Sequence, residues 1–310
     1  MPYTQSNDTG KSVLPNCEVK NSSNLIGIIL IITSATGFST LAILGKIAYA
    51  EGLNLPSILV FRFAGTALLL WPWLLFHHMW RLTISQAIKA TLLGAIGFAI
   101  QAAVFFSALI YTNAGTVTLL FYTYPTFVTI IAWVREKEQP NSYRRIALIL
   151  AILGCILTVN ISGAAVQPLG IIFGIASGLW YALYLTFGAR LVQSIAPVVA
   201  SAYLSLGATL SFFITALLTS GIVVPKSVTG IWVVAGIAVV ATALPIVTLF
   251  AGIRRMGTTK AAIISGIEPV MTVLLGIVFL GERLDESQIF GSFLVVTSVV
   301  IANGERSTNS

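Results

Sequence analysis

Charge is scarce in this 310-residue sequence: Asp, Glu, Lys and Arg together make up 9% of it, against roughly 25% in soluble globular proteins. A water-soluble surface cannot be covered with so few. Histidine is scarcer, with only the adjacent pair His77 and His78, so there is no His-Glu-x-x-His zinc pair and no membrane-embedded histidine to serve a Gly-x-Ser-x-Gly nucleophile. The two cysteines, Cys17 in a polar tail and Cys155 in an apolar run, make neither a disulfide framework nor a metal spacing. A Gly-x-x-x-x-Gly-Lys-Ser/Thr loop is missing, and no polar stretch is long enough for a nucleotide domain, which excludes ATP hydrolysis as the driving reaction. No metal or other cofactor is expected.

What is abundant is apolar. The hydrophobic fraction is 57% and the mean hydropathy +0.95, and these residues gather in uncharged runs near the ~20 residues that a helix needs to cross the hydrocarbon core. Such runs lie at 25–45, 56–76, 90–111, 114–134, 146–165, 169–189, 197–221, 231–253, 261–281 and 287–303. An outer-membrane barrel would need shorter segments of alternating polarity. The expected fold is therefore an all-α integral membrane protein with ten transmembrane helices. Residues 1–24 are rich in Ser and Asn and lack the apolar core of a signal peptide. They read as a disordered cytoplasmic tail, with a second short tail at 304–310.

The net charge of +7 forms no basic stripe with interleaved aromatics, which argues against nucleic acid. The basic residues instead report topology. With a cytoplasmic N-terminus, thirteen Lys and Arg fall on the cytoplasmic side and only Lys46, Lys226 and Arg283 on the other, with Arg62 inside a span. By the positive-inside rule both termini are cytoplasmic and the helix count is even. An internal echo accompanies this count. An offset of 144 sets Pro125 on Pro269 and Glu138 on Glu282, while an offset of 141 sets Ala35, Gly37 and Pro56 on Ala176, Gly178 and Pro197. Two repeats, 25–165 and 166–303, each with five helices, must enter the bilayer in opposite senses, the inverted arrangement of many secondary transporters.

Ile267-Glu268-Pro269-Val270 followed by Leu280-Gly281-Glu282-Arg283-Leu284, the earlier pair Pro125 and Glu138, Arg62 within Phe-Arg-Phe after Pro56, and Lys46 at the end of the first span resemble the drug/metabolite transporter superfamily, specifically its EamA-type ten-helix exporters. The likeness covers about residues 25 to 303. The sequence departs from the pattern at Arg135-Glu136-Lys137-Glu138, which lacks the Leu-Gly of the second block, and at Phe38, where a tryptophan is common. The resemblance implies export of small metabolites, amino acids or drugs across the inner membrane, driven by an ion or substrate gradient.

An ionisable group inside the bilayer costs at least ~2.5 kcal/mol and therefore faces a cavity or a partner. Glu268 is the deepest, about 12 Å inside the membrane at ~1.5 Å per residue from Lys260, with Ser265 and Thr272 on the same helical face. It either exchanges protons, binds a substrate amino group, or fastens helices as a protonated or Arg-paired carboxyl. Arg62 either snorkels outward, meets a substrate carboxylate, or pairs with Glu268, the pairing being favoured. Lys46 reads as an interfacial anchor or a gate, and Glu138 and Glu282 as loop-fixing ion pairs.

Gln101 stands on one face of the third helix with Gly94, Gly97, Phe98 and Phe105, and Tyr122 on one face of the fourth with Thr118, Pro125 and Thr129. Trp180, Tyr181 and Tyr184 in the sixth can stack on an apolar or aromatic substrate, and Tyr203 occupies the repeat position of Arg62. Aromatic stripes at helical spacing also arise from packing alone, and pockets use few polar groups. Gly170, Gly174 and Gly178 recur every four residues, which favours close helix approach.

The sequence thus points to a secondary active exporter of amino acids or related zwitterionic or lipophilic compounds, with a small-molecule substrate and membrane lipid as its partners. A facilitative channel or exchanger is the alternative. A phosphate-ester carrier would need more inward-facing cations than Arg62, and an intramembrane enzyme lacks its constellation. The oligomeric state stays open, a homodimer among the options.

Overall fold

The structure, a computed structural model, describes residues 17–79, 81–136, 142–158, 167–188, 194–256, 261, 264–282 and 286–304. Glu138, Lys260 and most of the expected N-terminal tail lie outside the described residues. Among those described, regular structure is entirely helical. The helices are α1 (Cys17–Ala50), α2 (Leu55–Phe76), α3 (Ile84–Leu92), α4 (Ala99–Tyr111), α5 (Ala114–Phe121), α6 (Tyr124–Glu136), α7 (Ser142–Thr158) and α8 (Pro168–Leu183), then α9 (Pro197–Leu218), α10 (Val228–Ala238), α11 (Leu244–Met256), α12 (Glu268–Leu280) and α13 (Glu286–Gly304). A π-helical segment, Leu93–Phe98, joins α3 to α4, and another, Val239–Ala243, joins α10 to α11, so each of these chains is one continuous span. A third, Tyr184–Gly188, extends α8.

Seven stretches are long and apolar enough to cross a membrane: Leu25–Ala50, Leu55–Phe76, Ile84–Tyr111, Ala114–Ile131, Pro168–Thr186, Pro197–Leu218 and Val228–Met256. The chain is a multi-pass membrane protein. At the other three expected positions lie shorter apolar helices, Arg145–Gly154, Glu268–Leu280 and Ile289–Ser298. The expected ninth span falls below full crossing length because a turn at Gly266–Ile267 separates α12 from the helical residues before it.

Local chemistry explains where the helices begin. Asn54, Asn113 and Ser227 each accept a hydrogen bond from the amide three residues on, at 3.0, 2.7 and 2.8 Å, satisfying an amide that helix geometry leaves unpaired. Thr83 and Gln86 form a reciprocal capping box before α3. Pro56, Pro168 and Pro197 occupy first turns, where a missing N–H is harmless.

Packing follows a two-fold pattern. The first helix, α1, lies against α10, α11 and α12, whereas α8 lies against α4, α5 and α6; α2 packs on α9, and α7 on α13. The α3–α9 crossing is made by glycines, since a Cβ on Gly94 would run into the Leu204 backbone and one on Gly207 into the Thr91 carbonyl. The glycine ladder of α8 has the same use. Gly170 abuts Thr112, Gly174 abuts Leu120, and a Cβ at Gly178 would stand 2.9 Å from the Phe121 carbonyl oxygen.

One end of the bundle is sealed. The α1–α2 and α9–α10 connections meet there: Asn54 Nδ2 donates to Ser220 Oγ at 2.9 Å, the Val223 amide to Ser57 Oγ at 2.7 Å, and Ser227 Oγ to Glu51. At the same end the Gln167 amide donates to the Tyr111 carbonyl at 3.1 Å, and Tyr49 Oη to the Phe106 carbonyl at 3.0 Å. The largest buried cluster, including Phe63, Phe106, Leu109 and Ile237, fills the space behind this seal.

Candidate functional site

Behind the seal a cavity of about 650 Å³ opens toward the other end of the bundle. That volume lies within the range of small-molecule sites. Its walls come from α1, α2, α4, α5, α6, α8, α9, α11, α12 and the segments next to them, with none from α7 or α13. Glu268 is the one acid and Arg62 the one base among the described lining residues.

Two helix breaks border the cavity at matching places. The helix of α5 stops at Tyr122–Thr123 and resumes as α6, and the chain turns at Gly266–Ile267 before α12. The repeat offset of 144 superimposes one break on the other. Each precedes a proline, Pro125 or Pro269, whose ring blocks the bond to the carbonyl four residues earlier, at Phe121 or Ser265. Thr123 Oγ1 turns back to the Leu120 carbonyl at 2.6 Å, and the Ile267 amide closes on the Ile264 carbonyl at 3.1 Å. The sequence contained both prolines, but the reading of continuous fourth and ninth helices missed the breaks.

Glu268 begins α12 and lines the cavity with Thr272, four residues on, and Ser265 lines it from across the Gly266–Ile267 turn. Tyr122 lies beside the Glu268 carboxyl group, and Thr272 Oγ1 donates to the Glu268 backbone carbonyl at 3.1 Å. No cation pairs with it among the described residues. Around this group the aromatic rings form a continuous surface: Tyr124 meets Tyr181 edge-on at 4.9 Å, Phe121 lies 5.0 Å from Tyr181, and Tyr181 stacks on Tyr184 at 5.9 Å.

Arg62 corrects an expectation. It neither snorkels nor pairs with Glu268; it is 4% exposed, and its Nε donates to Thr242 Oγ1 at 3.1 Å. The guanidinium carbon lies 4.9 Å over the Phe63 ring and 5.7 Å from that of Phe106, a placement that uses the negative faces of both rings. Thr242 is available because the π-helical segment widens the turn, letting its hydroxyl donate to the Ile237 carbonyl at 2.8 Å. The terminal nitrogens of Arg62 have no acceptor among the described residues.

The remaining candidates divide. Gln101, 7% exposed, and Tyr184 line the cavity together with Phe98, Phe105 and Thr118. Trp180 does not: its Nε1 donates to the Gly97 carbonyl at 2.8 Å and ties α8 to the third span. Tyr203 packs edge-on against Trp71 at 5.0 Å, away from the cavity. Lys46 also lies outside the lining and interacts electrostatically with Glu282. Glu282, expected in a loop ion pair whose basic neighbour Arg283 lies outside the described residues, caps α5: its oxygens accept from the Ala114 and Gly115 amides at 2.6 and 3.2 Å. A carboxylate there complements the positive end of the helix dipole. The sequence reading did not single out Tyr124, Phe121 or Thr242. Tyr124 was the most findable, because the repeat offset places it on Glu268.

Comparison with known proteins agrees with this architecture. The profile of the EamA-like transporter family matches residues 25–160 and again 168–304. An uncharacterized transporter of Synechocystis sp. is 33% identical over 201 residues, 62% of this chain and 59% of its own length, so the matched stretch spans under two thirds of that relative. The uncharacterized transporter YcbK of Bacillus subtilis is 27% identical over 88% of this chain and 92% of its own. A crystal structure superposes with a TM-score of 0.63 at 16% identity, covering 94% of this chain and 99% of the other, a likeness of fold. With its two tandem matches and its cavity between packed helices, the chain belongs to the EamA-like transporter family.

Proposed function

We propose that this chain is a secondary active exporter that moves small metabolites, amino acids or related zwitterionic or lipophilic compounds, across the inner membrane by alternating access. In this reading ten spans form two inverted five-helix repeats, 25–165 and 166–303, with both termini cytoplasmic. The sealed end then faces outward and the cavity faces the cytoplasm, ready to load a substrate for export.

The observation that carries the reading is the pair of helix breaks, at Tyr122–Thr123 and Gly266–Ile267, which occupy the same repeat position and border the same cavity. Discontinuous helices at a repeat interface are how many secondary transporters bring backbone dipoles and polar groups to a midplane site. Glu268, at one of these breaks, is the group that couples transport to protons. A seal at one end of the cavity supports a carrier over an open pore. No acid, base or nucleophile set for catalysis is assigned.

Counterflow in proteoliposomes tests the reading. Saturable exchange of a labelled amino acid or amine against an internal pool is expected. Flux that rises linearly with concentration would point to a pore.

A further inference from the structure

The cavity holds two charged groups that the fold leaves unanswered. Arg62 is 4% exposed and lines the cavity, yet only its Nε has a protein partner, so its two terminal nitrogens lack acceptors among the described residues. A guanidinium fork in that state matches a carboxylate held bidentately. Gln101, on the facing span, is 7% exposed, lines the cavity and has no side-chain hydrogen bond among the described residues. It offers one more donor. At the other pole, Glu268 has Tyr122 beside its carboxyl group and no cation partner among the described residues.

The two poles do not neutralise each other. Arg62 and Glu268 share no hydrogen bond or ion pair among the described residues. Their depths differ. Arg62 lies seven residues from the sealed-end start of α2 at Leu55, and Glu268 twelve residues from the sealed-end terminus of α12 at Leu280. At ~1.5 Å per residue these are about 10 and 18 Å from the two helix ends, which with those ends taken as level offsets the poles by about 8 Å along the bundle axis. Between them runs the aromatic wall, from Phe98, 6.0 Å from the Arg62 guanidinium, to Tyr184 at 5.9 Å and on to Tyr181 at 5.9 Å.

We infer that the substrate is an elongated zwitterion: a carboxylate bound by Arg62 and Gln101, an ammonium group bound by Glu268, and an apolar spacer lying on the aromatic wall. The inference rests on the proposed carrier reading and names the substrate class of that cavity. An α-amino acid carries its two charges on one carbon and reaches one pole at a time. A compound whose charges are about 8 Å apart, roughly two extended residues long, satisfies both. Bridging matters because a buried charge left unpaired costs far more than a paired one.

Binding of alanine, γ-aminobutyrate and ε-aminocaproate to the purified full chain, read by thermal shift, tests the separation. Caproate and hexylamine serve as single-charge controls. The expected order is ε-aminocaproate first, at least about tenfold tighter than alanine and than either control. Glu268→Gln should bring ε-aminocaproate down to the level of caproate, and Arg62→Gln to that of hexylamine. Since Arg62 is buried, Arg62→Lys supplies a folded variant that keeps the charge and loses the fork; it should weaken caproate and leave hexylamine unchanged. Alanine binding as tightly as ε-aminocaproate, or a length profile that survives Glu268→Gln, overturns the inference. Counterflow separates the two readings: saturable exchange that favours alanine refutes only the elongated class, whereas no saturable exchange of any compound by folded protein refutes the carrier reading as well.

Discussion

Glu282 ties the two halves of the bundle together at the sealed end. It follows α12, in the second half, and caps α5, in the first, through amide bonds of 2.6 and 3.2 Å. Replacing it with alanine removes both bonds and the interaction with Lys46. Losing a helix N-cap costs up to about 2 kcal/mol, and hydrogen bonds to a charged group are worth roughly 1.5–3 kcal/mol each. Asn113 still holds the Thr116 amide at 2.7 Å, so helix α5 itself survives. We take about 2 kcal/mol as the loss specific to the sealed state. If the halves part here during transport, the ratio of open to sealed states rises roughly thirtyfold, at 1.4 kcal/mol per factor of ten. Ala48, fully buried behind the seal, reports this when replaced by cysteine in a chain without Cys17 and Cys155. Its labelling by a membrane-impermeant maleimide from outside should accelerate at least tenfold in the Glu282→Ala background. An unchanged labelling rate in folded protein refutes the reasoning, because the capping bonds would then contribute nothing to closure.

Three further outcomes are expected. Glu268→Gln should give transport that no longer varies with pH, measured in reconstituted vesicles under imposed gradients; an unaltered pH profile removes the coupling role. Thr242→Val strips Arg62 Nε of its acceptor at 3.1 Å and should destabilise the protein by about 1.5–3 kcal/mol, seen as a lower melting temperature, whereas Thr242→Ser, which keeps the hydroxyl, should not. Trp180→Phe deletes the indole bond to Gly97 at 2.8 Å and should cost about 1 kcal/mol while leaving substrate affinity intact, since Trp180 lies outside the cavity lining.

Some of this was legible in the residues. Hydrophobic runs of crossing length gave the helical membrane architecture directly, because the bilayer sets their length. Glu268 could be placed in the cavity because a carboxyl in the middle of an apolar run has no acceptable position facing lipid, and Thr272 followed by helical spacing, whereas Ser265 lies across the Gly266–Ile267 turn. The fate of Arg62 was not legible. Its partner lies 180 residues away and is presented by a π-helical turn, whose register a 3.6-residue period does not contain. Trp180 and Tyr203 failed as site residues for a related reason. An aromatic ring at a helix face looks the same in sequence whether a ligand or a neighbouring helix covers it, and in both cases the neighbour is another span. The cap that Glu282 places on α5 was not legible, because the helix N-terminus it meets is brought near only by the fold. The breaks at Pro125 and Pro269 were within reach: proline disrupts the helix around it, and the repeat alignment already set the two side by side.

In the proposed cycle the two halves separate at the sealed end. An added Cβ at Gly115 would lie 3.7 Å from the Val273 Cα and 3.1 Å from its Cγ2, close to the Cβ separation of roughly 3.5–4.5 Å that a disulfide needs. Cysteines at Gly115 and Val273, in a chain without Cys17 and Cys155, therefore join α5 to α12 on oxidation. Oxidation is expected to stop exchange in proteoliposomes and reduction to restore it, while the oxidised protein still binds substrate from the open end. Full exchange by the cross-linked protein would contradict such a separation.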